Sequence, residues 1–164
     1  MKKQKGLPPM TAPSPLTPTP APLADLTQIQ RITFPQFPAP GRVLTIYESG
    51  AALPIPVARV FTVASDEADT MGGGHAHRWC SQVLVCLQGE VEFVGRDHLG
   101  GEVRHRLADP RDAVLMPPTI WGEQYYRQTP ALLMVFCDYP FDAADYIRDF
   151  ETFRAYRASL AAGQ

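Results

Sequence analysis

The sequence predicts an all-β fold, a jelly-roll barrel with a short C-terminal helix. Short stretches rich in β-branched and aromatic residues recur along the chain, and proline and glycine turns separate them, as in a sandwich or barrel. The end of the chain differs, because Phe150, Phe153, Arg157 and Leu160 recur at helical spacing. We expect this helix to pack on the outside of the barrel.

Length and charge limit the classes of function. The chain has 164 residues, 45% of them apolar and 20% charged, which suits a single globular domain with its own core. The net charge is only −2, so nothing indicates nucleic acid or an acidic membrane surface as a partner. No apolar run has the length of a membrane span.

Proline and cysteine usage suggest the organisation and the compartment. Residues 1–27 are rich in proline and are predicted to be a disordered tail, a plain linker or a proline-dependent docking motif, so the folded domain covers 28–164. Cys80, Cys86 and Cys137 are an odd number without a C-x-x-C motif. They suggest reduced thiols in a cytoplasmic protein, and Cys86 and Cys137 are interpreted as packing residues.

The elements follow in order. Residues 65–74 are predicted to be a loop, residues 91–94 to pair back as a hairpin after Gly89, and Asp142 to cap the C-terminal helix. Alternation and turn signals predict strands at 29–34, 43–47, 57–63, 83–87, 91–94, 103–107, 113–116, 123–127 and 132–136.

The most informative stretch is 72–89, in which a glycine triplet leads into two histidines. His75 and His77 are two residues apart, so on a strand both side chains point to the same face. Such a pair alone could be chance, surface polarity or a metal site. Its spacing to Gln82 and Gly89 resembles the first cupin motif, with Gln82 where metal-binding cupins usually carry Glu.

Further segments extend the resemblance, and over about residues 32–156 the chain resembles the sugar 3,4-ketoisomerases, small cupins that act on TDP-4-keto-6-deoxyhexoses in deoxysugar biosynthesis. The resemblance implies a metal-free proton shuttle between C3 and C4, with His75 as the base and His77 as its partner acid, and a homodimer paired through N-terminal strands. The matching segments are Arg59-Val60-Phe61, Gly73-Gly74-His75-Ala76-His77-Arg78, Gln82-Val83-Leu84-Val85-Cys86, Pro117 with Trp121 and Glu123, and Asp138-Tyr139 with Asp145-Tyr146-Ile147-Arg148-Asp149.

Several other side chains are candidates for substrate binding. Arg59 could bind phosphate or pair with a carboxylate, and Glu123 could be a pocket acid or a surface charge. Tyr125 and Tyr126 point to opposite faces of a strand, so at most one lines the pocket. His98 and His105 are expected to be solvated. The predicted substrate-binding residues are Arg59, Gln82, Trp121, Glu123 and Tyr125.

Some polar groups usual in the resembling family are absent. Gly72 stands where an arginine is usual, Gly122 where a histidine is usual, and Phe61-Thr62 where two tyrosines are usual. The chain is therefore either an active or altered isomerase, or a cupin that binds a sugar nucleotide or another small ligand without turnover. A metal enzyme is the weaker alternative, because two histidines and a neutral Gln82 are a poor ligand set. No cofactor is expected.

Overall fold

The computed structural model describes residue 18 and residues 21–163, and it consists of antiparallel strands followed by one helix. The predicted all-β architecture with a C-terminal helix is confirmed. The strands are β1 (Gln30–Thr33), β2 (Gln36–Ala39), β3 (Arg42–Thr45), β4 (Arg59–Ser65), β5 (Thr70–His77), β6 (Gln82–Arg96), β7 (Glu102–Leu107), β8 (Asp112–Met116), β9 (Trp121–Cys137) and β10 (Tyr146–Ile147), and the helix is α1 (Phe150–Ala162).

The two longest strands organise the barrel. β6 pairs with β9 along most of its length, and the main sheet runs in the order β1-β8-β6-β9-β5-β10. β4 also pairs with β9, and β7 with β6, while β2 and β3 form a separate hairpin. The inward side chains, among them Leu84, Phe93, Met116 and Leu133, form the central core.

Two predicted turns are wrong, because long strands bend there instead of ending. β6 runs through Gly89, where the register against β9 shifts. Gly89 has φ +77°, and a Cβ there would clash with the carbonyl of Gln128. Glycine therefore marks a bulge in a continuous strand, and 91–94 does not fold back on 83–87. The two strands predicted at 123–127 and 132–136 are likewise the single strand β9.

The glycine triplet also lies in a strand, not in the predicted loop. β5 begins at Thr70 and includes all three glycines. Gly73 and Gly74 have φ +74° and +65°, and the register against β9 shifts between Gly73 and His75. The bulge sets the direction of the histidine side chains that follow it. The β2–β3 hairpin was missed because Pro38 argued against a strand.

The C-terminal helix starts later than predicted. Asp142 caps only a short 3-10 turn, Ala143–Asp145, and β10 follows it. Asp149 is the N-cap of α1, where its carboxylate accepts a hydrogen bond from the Thr152 N–H at 2.8 Å. Phe153 is fully buried, with its ring centroid 5.6 Å from that of Trp121. The helix packs on the outer side of the sheet, as expected.

The predicted tail lies largely outside the described residues. Within the described part, Ala24 is buried and its N–H donates to Thr119 Oγ1 at 2.9 Å. The boundary at residue 28 stays a prediction. Among the described helices, none has the length and apolar character to cross a membrane.

Candidate active site

His75 and His77 lie near the end of β5 and point to the inside of the barrel; we call this inward side of β5 the histidine face. His75 is opposite Gly122 on β9, and His77 is opposite Tyr146 on β10. The two imidazole centroids are 5.0 Å apart in an edge-to-face arrangement. The prediction that one strand face presents both histidines agrees with this geometry.

Asp145 fixes the orientation of His77. His77 Nδ1 lies 2.5 Å from Asp145 Oδ2, and both side chains are fully buried. Asp145 Oδ1 accepts the backbone N–H groups of Arg78 and Trp79, each at 2.9 Å. Burial alone would raise the pKa of Asp145, but the hydrogen bond from His77 and the backbone donors hold it below its usual range. An ionised Asp145 requires a proton on Nδ1, so the lone pair of neutral His77 is on Nε2.

Two ring nitrogens are free to meet a ligand. His75 Nδ1 and His77 Nε2 are buried and have no hydrogen-bond partner among the described residues. Buried polar atoms normally have partners, so these two are groups that a bound substrate could use. Burial, and then the proximity of His77, lower the pKa of His75 from 6.5 to about 4, so His75 is neutral at physiological pH.

Tyr146 and Arg59 continue the site beyond the histidines. The Tyr146 ring lies 5.0 Å from the ring of His75 and 4.5 Å from that of His77, measured between centroids. Arg59 Nη2 donates to the Tyr146 hydroxyl oxygen at 3.4 Å, and the Arg148 guanidinium lies 4.3 Å from the Tyr146 ring centroid. Two cationic groups therefore flank the tyrosine that contacts both histidines.

Gln82 also points inward, at the neighbouring strand. It is buried, and its Nε2 lies 3.6 Å from Cys137 Sγ, to which it donates. Cys137 is the cross-strand neighbour of both Gln82 and Arg59. Of the five predicted substrate-binding residues, Arg59 and Gln82 therefore lie on the inside of the barrel, where both contact Cys137.

The other three lie on the opposite side of the sheet. Trp121 pairs with Ala76, the residue between the two histidines, so its side chain points away from the histidine face. Glu123 accepts hydrogen bonds from Trp121 Nε1 at 3.0 Å and from the Tyr125 hydroxyl at 2.8 Å. The structure does not bring Trp121, Glu123 and Tyr125 to the histidines, and their role in substrate binding stays a prediction.

His98 and His105 lie outside the site and are not simply solvated, which corrects the expectation. His98 is half-buried and its Nδ1 accepts a hydrogen bond from Arg157 Nε at 2.9 Å. His105 is half-buried and stacks on Phe93 at a centroid distance of 6.5 Å. We assign both to packing, because Arg157 covers a ring nitrogen of His98 and Phe93 covers a ring face of His105.

Sequence reasoning assigned no role to Asp145 and Tyr146, although both stand in the Asp-Tyr-Ile-Arg segment. Their signal was the resemblance alone. Asp145 lies 68 residues along the chain from His77, and no local pattern predicts that Asp145 or Tyr146 lies beside that histidine. Cys137 was interpreted as packing. It is indeed fully buried, but it also accepts a hydrogen bond from Arg59 at 3.3 Å.

One trio in the described part of the chain has the residue types of a metal site. His77, Cys80 and Asp145 place one ligand atom each within 4.8 Å of one another. Both Asp145 oxygens, however, already accept N–H groups from His77 and the backbone. The carboxylate therefore suits the role of a histidine partner better than that of a metal ligand. Metal-free chemistry stays a prediction.

Known proteins are similar to this chain in sequence and in fold. A curated relative, the TDP-4-oxo-6-deoxy-alpha-D-glucose-3,4-oxoisomerase of Aneurinibacillus thermoaerophilus, is 28% identical over 118 residues, 71% of this chain and 84% of that protein. The sugar 3,4-ketoisomerase QdtA of Thermoanaerobacterium thermosaccharolyticum, solved with TDP, is 25% identical with a TM-score of 0.77, over 82% of this chain and 98% of that one.

A more distant structure supports the fold alone. The rmlC epimerase of Mycobacterium tuberculosis is 15% identical with a TM-score of 0.65, over 78% of this chain and 72% of that one. The predicted cupin barrel and the predicted resemblance to 3,4-ketoisomerases are thereby confirmed. Because the family described as FdtA, WxcM-like, C-terminal matches residues 27–158, the chain belongs to that family.

Proposed function

We propose that this protein is a sugar-nucleotide 3,4-ketoisomerase that acts on a TDP-linked 4-keto-6-deoxyhexose without a metal. The observation that carries the proposal is the pair of histidines whose buried ring nitrogens have no partner among the described residues, one of the rings oriented by Asp145. The relatives supply the reaction type, since a curated relative is a TDP-4-oxo-6-deoxyglucose 3,4-oxoisomerase.

The reaction requires two proton transfers. The carbon-bound proton leaves C3 beside the C4 ketone and one returns at C4, while the hydroxyl proton moves from the C3 oxygen to the C4 oxygen. His75 takes the C3 proton, and once the oxygen-bound proton has moved to the C4 oxygen, the protonated His75 returns a proton to C4. His77 serves as the partner acid that exchanges the oxygen-bound proton, through the Nε2 atom that Asp145 leaves free.

The electrostatic setting suits these roles. His75 is neutral in the free protein, so its lone pair is available at neutral pH. The negative diphosphate of a bound nucleotide sugar raises the pKa of a nearby histidine, which increases the basicity of His75 when substrate is present. Asp145 fixes the tautomer and the orientation of His77, as in other histidine–carboxylate pairs.

Charged groups next to Tyr146 offer a place for developing negative charge. Arg59 and Arg148 both contact Tyr146, which lies against the two histidines. We assign Arg59 to the enediolate or the phosphate, and Gln82 to hydrogen bonding at the barrel interior. Preorganised donors of this kind lower a barrier by about 3–4 kcal/mol each when they face the developing charge.

A cupin that binds the sugar nucleotide without turnover is the second candidate, because the polar residues usual at positions 62, 72 and 122 are absent. Thr62 is exposed, whereas Phe61 points inward, so the hydroxyl missing from the interior is the one at Phe61. At Gly122 a Cβ would lie 2.5 Å from Met116 Sδ, so the methionine fills the space of a larger side chain.

Turnover separates the two candidates. Purified protein is incubated with TDP-4-keto-6-deoxyglucose in deuterated buffer, and C3 exchange and ketone migration are followed by NMR. His75→Asn is expected to abolish C3 exchange while nucleotide-sugar binding persists, and His77→Asn to slow product formation. His105→Asn is the matched control, because His105 stacks on Phe93 away from the site. Binding of the sugar nucleotide by the wild type without any exchange would favour the non-catalytic candidate.

We also propose a cytoplasmic homodimer. The β2–β3 hairpin exposes Phe37, Val43 and Leu44, each more than half accessible, with fractions of 56%, 59% and 57%. Adjacent apolar side chains of this size are usually covered by a partner. The three free cysteines are all buried, which suits a reducing compartment.

A further inference from the structure

Three neighbouring strands present a cation, a thiol and an amide side by side on the interior of the barrel. Cys137 on β9 is the direct cross-strand partner of Arg59 on β4 and of Gln82 on β6. Directly opposed residues of an antiparallel pair share a face of the sheet, so the three side chains meet. Cys137 is fully buried between the other two.

The sulfur of Cys137 receives two donors. Arg59 Nη2 donates to it at 3.3 Å and Gln82 Nε2 at 3.6 Å, whereas the Cys80 thiol donates to the Ser81 carbonyl at 3.3 Å. A neutral thiol is a weak acceptor, whereas a thiolate accepts such bonds strongly. Two donors directed at one buried sulfur, one of them cationic, favour the ionised form.

The charge of Arg59 supports the same conclusion. Within the described residues no carboxylate lies at ion-pair distance from Arg59, and its other contacts are the rings of Phe61 and Phe141 and the hydroxyl of Tyr146. A partly buried guanidinium is normally paired with an anion. In the free protein, where no substrate anion faces Arg59, Cys137 Sγ at 3.3 Å is placed to supply that anion.

The electrostatics of the thiol pair agree with this geometry. The contact with Cys80, and then the hydrogen bond and charge of Arg59 and the contact with Gln82, lower the pKa of Cys137 against the effect of burial, while the contact with Cys137 raises the pKa of Cys80. The remaining ionisable groups that face the pair are Tyr146, on the far side of Arg59, and His77, Asp138 and Asp145, near Cys80.

We propose that Cys137 is a thiolate in the resting protein and serves as a positioning residue, which holds the Arg59 guanidinium against the Tyr146 hydroxyl beside the two histidines. The thiolate directs one Arg59 nitrogen and offsets its charge, so that the guanidinium donates toward Tyr146 without a carboxylate paired to Arg59. Cys137 itself does not touch the reacting atoms. The proposal rests on the proposed function only for its kinetic consequence.

The ionised state is tested without any substrate. The ultraviolet absorbance of thiolate is recorded across pH in the folded protein, in the wild type and in Cys137→Ser. We expect a thiolate that is present at neutral pH and titrates below the usual thiol range in the wild type, and that is absent in the variant. Arg59→Gln should move this titration to higher pH. Cys86→Ser is the matched control: this cysteine is also buried but its pKa is raised, so the titration should not change.

The positioning role is tested by kinetics. We expect Cys137→Ser to lower kcat by about 10- to 100-fold, the range for removing a group that orients a functional side chain, with a smaller change in KM. In the wild type, kcat should fall on the acid side of the pH–rate profile as Cys137 becomes protonated. This fall should be absent in Cys137→Ser. If Cys137→Ser fails to fold, the Arg59→Gln titration still decides the ionisation.

Each outcome has a defined meaning. A wild-type protein in which Cys137→Ser removes no thiolate absorbance at neutral pH overturns the proposal, whatever the enzyme does. If the wild type shows the expected thiolate titration but Cys137→Ser keeps the kcat of the wild type, the positioning role is overturned. A thiolate that titrates as expected in a protein without turnover supports the ionised Cys137–Arg59 pair and contradicts only the isomerase proposal.

Discussion

Replacing Asp145 by asparagine should disable His77 while leaving the fold in place. The amide oxygen can take the position of Oδ1, where it still accepts the backbone N–H groups of Arg78 and Trp79. The amide nitrogen then faces His77 Nδ1, only 2.5 Å from Oδ2 in the wild type, and two N–H donors cannot occupy that contact. His77 must move its proton to Nε2, the atom that is otherwise free to exchange protons with substrate.

The magnitude follows from the change of tautomer. In a histidine–carboxylate pair of this geometry in serine proteases, the aspartate-to-asparagine change lowers kcat by about 10⁴-fold through the same mechanism. We expect a loss of about 10³-fold or more in ketone migration by Asp145→Asn. The free energy of unfolding should fall by only about 1–3 kcal/mol, the cost of one impaired buried hydrogen bond.

The assay compares kcat for ketone migration with thermal unfolding of the same preparations. Asp138→Asn is the matched control, since the Asp138 carboxylate also accepts a loop N–H, that of Ser81 at 2.7 Å, but does not contact a histidine. A folded Asp145→Asn protein that keeps activity within about threefold of the wild type would refute the tautomer argument, because His77 would then need no carboxylate partner.

Three further predictions follow from burial and packing. Because the pKa of His75 falls from 6.5 to about 4 on folding, the unfolded chain binds this proton first, and the free energy of unfolding should decrease by about 3 kcal/mol between pH 6.5 and 4. Chemical denaturation across this range should show a smaller decrease in His75→Asn, and equal slopes would contradict the burial argument. Gly122→His should lower the melting temperature, because its Cβ would lie 2.5 Å from Met116 Sδ, and adding Met116→Ala should recover part of the loss. Phe37→Asp combined with Leu44→Asp should convert a dimer to a monomer in light scattering; a wild-type monomer at micromolar concentration would remove the dimer proposal.

Local patterns carried the prediction of the fold and of the histidine pair. A spacing of two residues needs only an extended backbone to put His75 and His77 on one face, and β5 provides it. Proline and glycine are less reliable signals of where a strand ends. Gly89 predicts a turn, but it lies in a bulge of the continuous strand β6. A glycine with a positive φ angle can occur in a turn or in a bulge, and only the pairing of β6 with β9 shows which of the two is present.

Side chains that reach the site through tertiary contacts could not be predicted in the same way. Asp145 meets His77 only because β10 pairs with the end of β5. The position of Trp121 could not be predicted for a related reason: parity along β9 decides the face of the sheet on which its side chain lies, and that parity depends on where the strand is bulged. The sequence contains the residues of the site, but the register shifts determine which of them point inward.

The missing polar residues acquire a physical explanation from the packing at Gly122. A histidine at this position would lie directly opposite His75, yet Met116 and Phe93 already fill the space that its Cβ would need. This interior therefore has apolar packing beside the histidines where the resembling family has a polar group, and burial lowers the pKa of His75. The polar groups that remain beside the histidine face are the His77–Asp145 pair and Arg59. His77 lies against the ring of Tyr146, and Arg59 donates to the Tyr146 hydroxyl. An enzyme with this interior depends on those side chains more strongly than one with additional polar groups, so single substitutions at Asp145 and Arg59 should have large effects on turnover.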